Sequence, residues 1–152
     1  MNDESEPSVD LSQVGQLVKK AQYRNHRAMD AALRPLGTSL VQWDALRAIS
    51  RFPGASGHDL ALATFQSDQS WGTLATRLVS RGLIERSAGV GRRVAHELTD
   101  EGRALLADGT AASQNVLPEL FAALDEDERT MLATVLRKLT ADDQTLEATT
   151  PN

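Results

Sequence analysis

The stretch from Leu60 to Thr99, LALATFQSDQSWGTLATRLVSRGLIERSAGVGRRVAHELT, constrains the fold of this chain more than any other. Leu60, Ala61 and Ala63 continue a short helix whose start is marked by Ser56 with Asp59 three residues on. Phe65-Gln66-Ser67 forms a tight polar turn, and Ser67 is placed to cap a second helix. Trp71, Leu74, Ala75, Leu78 and Val79 recur at spacings of three and four, which predicts that helix with those residues buried. Gly82 stops it as a glycine just past the helix end. Leu83–Arg86 reads as a strand, Ser87–Arg92 as a glycine-containing tip, and Arg93–Leu98 as the return strand. Val94, His96 and Leu98 alternate onto one face of that strand. Two short helices around a turn, followed by an arginine-tipped hairpin, have the layout of a winged helix-turn-helix.

The flanking sequence reads as a helical frame. Leu11, Val14, Leu17, Val18, Ala21, Ala28, Ala32 and Leu33 give a long first helix, ended by Pro35 and Gly37. Ser39, with Gln42 at the capping-box spacing, opens a second helix whose core face holds Leu46 and Ile49 and which stops at Phe52-Pro53-Gly54. Thr99 caps a helix carrying Leu105, Leu106, Ala112, Val116, Leu117, Leu120, Phe121 and Leu124, with a kink expected at Pro118. Asp125 and Glu128 cap a last helix with Met131, Leu132, Val135, Leu136 and Leu139. The expectation is a mainly α, single-domain chain of six helices and one hairpin. Residues 38–99 form the winged-helix lobe, and residues 9–37 and 100–140 the dimerisation helices. Residues 1–8 and 141–152 lack an apolar pattern and read as disordered. The terminal helices cannot bury their apolar stripes alone, so a homodimer built on them is the economical solution.

Composition bounds the function. The net charge of −5 argues at first against a nucleic-acid partner, but the charge is unevenly spread. Residues 1–10 hold Asp3, Glu4, Glu6 and Asp10 and no base, and residues 140–152 hold Asp142, Asp143 and Glu147 and no base. Between Gln66 and Leu98, Arg77, Arg81, Arg86, Arg92 and Arg93 outnumber Asp68, Glu85 and Glu97. The absence of cysteine excludes disulfides and thiol redox sensing. His26, His58 and His96 stand far apart without metal-ligand spacing, so no metal site is expected. The chain carries no glycine-rich phosphate loop, no GxSxG and no triad pattern, so neither an enzyme nor a cofactor is expected. The acidic N-terminus is unlike a signal peptide, and no apolar run approaches the roughly 20 residues of a membrane span, which points to the cytoplasm.

The order and spacing of Leu60-Ala61, Ser67, Leu74, Arg77-Leu78, Arg81-Gly82-Leu83-Ile84-Glu85-Arg86, Arg92 and Leu98-Thr99-Asp100-Glu101-Gly102 resemble the MarR family of bacterial transcription regulators. The resemblance runs from about Leu11 to Leu139. It implies a dimeric regulator, in many cases a repressor, that binds a pseudo-palindromic operator in double-stranded DNA. It also implies release when a small aromatic effector enters a cleft between the dimerisation helices and the DNA-binding lobe. Ser67–Arg81 then correspond to the recognition helix and Ser87–Arg93 to the wing tip. Val90 stands where the family commonly places an aspartate that orients the wing arginine, and Phe65 where its turn usually carries glycine.

On that reading, Gln69, Ser70 and Thr73 are candidates for base edges and Arg77 for a phosphate, with Ser67 opening the helix that carries them. Arg92 and Arg93 are candidates for phosphate or minor-groove contact, while Arg81 and Arg86 are read as structural. Asp68 has two readings, a cytosine amino group or the helix N-terminus, the second being favoured. Trp71 falls on the buried face and is expected in the core. His26, Trp43 and Arg47 belong to helices that would border the effector cleft, where an aromatic ring and a cation suit an aromatic carboxylate. A winged-helix module that binds protein rather than DNA is the alternative.

Overall fold

The computed structural model describes residues 9–91 and 93–141. The disorder expected of residues 1–8 and of 142–152 lies outside the described residues, as does Arg92. Among the described residues six helices and one hairpin run in order: α1 (Leu11–Leu33), α2 (Leu40–Arg51), α3 (Gly57–Ala63), α4 (Asp68–Ser80), β1 (Ile84–Ala88), β2 (Val94–Leu98), α5 (Asp100–Leu120) and α6 (Glu126–Leu139). A single 3-10 turn, Arg34–Leu36, comes after α1, and Gly37 closes it at φ 72°.

Side-chain caps set most of the helix starts. Ser39, Ser56, Ser67, Thr99 and Asp125 each accept a hydrogen bond from the N–H three residues on. Full capping boxes form at Ser56/Asp59 and Asp125/Glu128. At α2 the box is only half made. Gln42 turns away from the Ser39 N–H and its carbonyl oxygen accepts from the hydroxyl of Thr38 (3.2 Å) and from Arg81.

One core holds α2, α3, α4 and the hairpin together. Leu46, Ile49, Leu60, Trp71, Leu74, Leu78, Leu83 and Ile84 are all buried in it. A second, smaller cluster of Met29, Leu33 and Trp43 joins α1 and α2 to α5. Leu105 and Leu106 of α5 pack against the lobe, and Val116 and Leu117 against the second cluster, while its fully buried positions are the small residues Gly102, Gly109 and Ser113. A Cβ on Gly102 would stand 2.0 Å from the Leu83 carbonyl oxygen, and one on Gly109 2.3 Å from the Trp43 ring. Glycine is what permits both approaches.

Three sequence expectations need correction. Pairing in the hairpin continues to Ala88↔Val94, closed by the Gly89 N–H on the Arg93 carbonyl at 2.7 Å, so the tip is shorter than expected and Arg93 belongs to it rather than to β2. Val79 is 38% exposed, because it lies a further 100° around the helix from Leu78. Helix α5 ends at Leu120, with Pro118 in its last turn, so Phe121 and Leu124 lie in the connection to α6. Proline supplies no N–H to the turn before it, which fits a helix finishing there.

The terminal helices leave much apolar surface uncovered. Leu11, Val14, Leu17 and Val18 on α1 are exposed, as are Met131, Leu132, Val135, Leu136 and Leu139 on α6. Helix α6 contains no buried residue. A groove of about 400 Å3 between the end of α5 and α6 is lined by Leu117, Pro118, Phe121, Leu132 and Leu136 among others.

Candidate nucleic-acid interface

Helix α4 buries one face and presents the other. Trp71 (2% exposed), Leu74, Ala75 and Leu78 point into the core. The remaining faces carry Gln69, Ser70, Thr73, Thr76 and Arg77, all exposed. Ser67 is occupied as the cap, accepting from the Ser70 N–H at 3.1 Å and donating to the Ser70 hydroxyl at 2.9 Å. The hydroxyls of Thr73, Thr76 and Ser80 each donate back to the carbonyl four residues earlier. Each therefore offers only its remaining lone pairs to an incoming donor. Gln69 and Arg77 make no side-chain hydrogen bond among the described residues. Together with Val41, Gln66, Ser70, Thr73 and Leu74 they line an open depression of about 370 Å3 beside the helix. The structure thus gathers Gln69, Ser70, Thr73 and Arg77 on one depression, with Ser67 at its helical origin.

The turn that aims α4 is a helix-ending hydrogen-bond pattern followed by a cap. The Gln66 N–H reaches the Ala61 carbonyl at 2.9 Å, and the Phe65 N–H reaches that of Leu62 at 3.2 Å. That six-to-one, five-to-two pattern requires a left-handed residue at its centre. Phe65 supplies it at φ 57°, the only non-glycine residue with positive φ among the described residues, and its ring is 80% exposed. The turn therefore keeps the geometry glycine would give, at the steric cost a Cβ brings.

Arg81 and Arg86 brace the module. Arg81 donates to the Gly37 carbonyl at 2.8 Å and to Gln42, tying the end of α4 to the start of α2. Arg86 donates to the Thr76 hydroxyl at 3.1 Å and to the Gly72 carbonyl at 3.4 Å, tying the hairpin to α4. Thr99 donates to the Gly82 carbonyl at 2.6 Å while capping α5. Asp68, in the first turn of α4, takes a contact from His58 Nδ1 at 2.9 Å, a link between α3 and α4 that the sequence does not reveal. Nothing in the spacing of those two residues announces it.

At the wing, Arg93 is exposed and Val90 is 95% exposed. Hydrogen bonds from Ser56 hold the Asp59 carboxyl below its usual range, with the nearby charges of Arg93 and His58 adding to them.

A second cluster lies behind the lobe. Trp43 is buried, its indole N–H donating to the Leu106 carbonyl at 3.2 Å. The Arg47 guanidinium lies 4.9 Å over the centre of that ring and pairs with Asp44 at 3.0 Å. Burial pushes the Asp44 carboxyl up, against the pull of Arg47 and His26. Trp43 and Arg47 thus meet beside Asp44, an acid that sequence reasoning missed, and His26 bears on that acid through its charge. The Asp44/Arg47 spacing of three along a helix was the available signal.

Comparison with known proteins agrees with this architecture. Residues 36–93 match a model of the MarR family. The HTH-type transcriptional repressor Rv2887 of Mycobacterium tuberculosis is 32% identical over 116 residues, covering 75% of this chain and 84% of that protein. Its crystal structure with p-aminosalicylic acid superposes with a TM-score of 0.69 at 30% identity, covering 82% of this chain and 96% of that one. A mutant MarR from E. coli complexed with operator DNA has a TM-score of 0.79 at 25% identity, covering 84% and 93%. Family model, sequence and fold agree, and this chain belongs to the MarR family of winged-helix transcriptional regulators.

Proposed function

We propose that this chain acts in the cytoplasm as a homodimeric, effector-responsive repressor that binds a pseudo-palindromic operator. The observation that carries this reading is a recognition helix with an exposed polar face, braced by Arg81 and Arg86 on a self-contained core, between terminal helices with uncovered apolar faces. Labour divides accordingly: residues 38–99 read DNA, and 9–37 with 100–140 pair the two copies. Gln69 reaches an adenine edge, Ser70 and Thr73 accept from base amino groups, and Arg77 meets a phosphate. Ser67 fixes where the helix begins. Arg92 and Arg93 contact the backbone or minor groove beside it.

Release works by population shift. An aromatic carboxylate near His26, Trp43 and Arg47 favours a spacing of the two recognition helices that no longer fits grooves about 34 Å apart. The relative Rv2887 was crystallised with p-aminosalicylic acid, which is of that chemical class. In this chain the ligand carboxylate would compete with Asp44 for Arg47.

Fluorescence anisotropy with duplexes selected from a random-sequence pool tests the reading. Affinity should fall steeply with salt, and Arg77→Ala should lower the salt slope by about 1. Loss of binding on adding salicylate tests the effector. A pool with no enriched duplex at low salt would favour the protein-binding alternative that the net charge of −5 suggests.

A further inference from the structure

The joint between wing and recognition helix contains a histidine with an unusual setting. His96 stands in the middle of β2 and is 8% exposed. Its ring meets Trp71 of α4 edge-on, with centroids 5.8 Å apart and planes at 74°. Both His96 Nδ1 and Trp71 Nε1 are buried without a hydrogen-bond partner among the described residues. From α3, Gly57 closes on the same two rings, so that a Cβ there would lie 3.5 Å from Trp71 and 3.8 Å from His96 Cε1. One side chain of the hairpin thus touches both helices of the helix-turn-helix.

No acid makes a hydrogen bond to the ring among the described residues. Arg86 is the cross-strand partner of His96 and brings a positive charge from β1. The other titratable groups lining the cavity beside the ring are His58 of α3 and Asp68 of α4. The Asp68 carboxylate is taken by His58 at 2.9 Å. Asp59 of α3 is held in its own capping box with Ser56. Helices α2 and α5 also pack on β2 but contribute no titratable side chain to that lining. Unfavourable burial, and then the charge of Arg86, push the His96 imidazole below the ordinary histidine range.

We propose that His96 is a positioning residue for DNA binding whose neutral ring seats the wing against Trp71, and whose protonation unseats it and releases DNA. This rests on the DNA-binding reading above. The sign is distinctive. Added positive charge on exposed histidines tightens phosphate contact as pH falls. Protonation of His96 works the other way, because a charge is placed in a buried joint beside Arg86, with Nδ1 unpaired among the described residues. The unbraced form takes up the proton from the ordinary histidine pKa downward, while the seated form resists it. Affinity is therefore full above that value and lost as pH falls toward the depressed one.

The experiment measures affinity for a pool-selected, fluorescein-labelled duplex from pH 8 to pH 5.5 at fixed ionic strength. Wild-type protein should lose roughly tenfold in affinity across that range. His96→Gln should bind more weakly than wild type at pH 8 and lose the acid-induced drop. His58→Gln should keep the drop. Proton NMR of the His96 ring in wild-type protein without DNA should show it titrating below the ordinary histidine value, a readout that depends on no variant. Affinity that rises toward acid pH, a drop that tracks His58, or a His96 ring titrating at its ordinary value or above would each overturn the proposal. If no duplex is enriched, the DNA-binding reading fails and this one with it. A depressed His96 titration beside an acid-insensitive affinity would overturn this proposal alone.

Discussion

The winged-helix lobe and the terminal helices solve the same problem to different degrees. The lobe encloses a core of its own, with Leu46, Leu60, Leu78 and Ile84 at 1% exposure or less. Helix α6 encloses none of its own, and Met131 and Leu139 remain 63% and 67% exposed. Both regions are amphipathic, so periodicity alone reads them alike. The difference lies in what stands opposite each stripe. Within the lobe, α2, α3, α4 and the hairpin face one another. Among the described residues, the outer stripe of α1 and Met131, Val135 and Leu139 of α6 stay exposed, while Leu132 and Leu136 face Leu117 and Phe121 only across an open groove. Exposed apolar faces of that extent mark association surfaces.

The strongest way to break that contrast is to charge the uncovered face. Leu132→Asp with Leu136→Asp should give a monomer in sedimentation velocity. DNA affinity should then fall about hundredfold or more, because two linked half-sites are lost. The near-ultraviolet dichroism of Trp71 in the lobe should stay unchanged. At the joint between the two regions, Gly102→Ala would drive a Cβ to 2.0 Å from the Leu83 carbonyl oxygen, an atom held by the Thr99 N–H. A loss of about 2–3 kcal/mol in urea unfolding is expected, since backbone cannot swing aside. Within the lobe, Arg86→Ala removes two exposed hydrogen bonds to α4 and should cost about 1 kcal/mol of stability. The smallest effect has the opposite sign. Phe65→Gly relieves a left-handed residue and should raise stability by about 0.5–1 kcal/mol in the same assay.

The lobe was legible in the sequence because its signals are local. Ser56/Asp59, Ser67 and Gly82 mark helix ends through bonds that span three to six residues. The core face of α4 is set by spacing, apart from Val79 at its margin. What escaped was settled by approach distance or by contacts across elements. Helix α5 packs through Leu105 and Leu106 of its apolar stripe, but its closest approaches are at Gly102, Gly109 and Ser113, small residues that a search for apolar stripes passes over. The His58–Asp68 contact, the Asp44 that holds Arg47 and the orphaned nitrogens of Trp71 and His96 depend on elements brought together only by the fold. Phe65 was visible as a departure, but a sequence cannot say whether the turn bends or the residue does. Here the residue yields, at φ 57°.

On the proposed function, DNA recognition needs two lobes joined by the terminal helices. Sedimentation equilibrium of a labelled, pool-selected duplex titrated with protein tests it most directly. Two chains per duplex are expected, with no stable one-chain species as protein is added. A saturated complex of one chain per duplex, bound as tightly by the Leu132→Asp/Leu136→Asp variant as by the wild type, would contradict it.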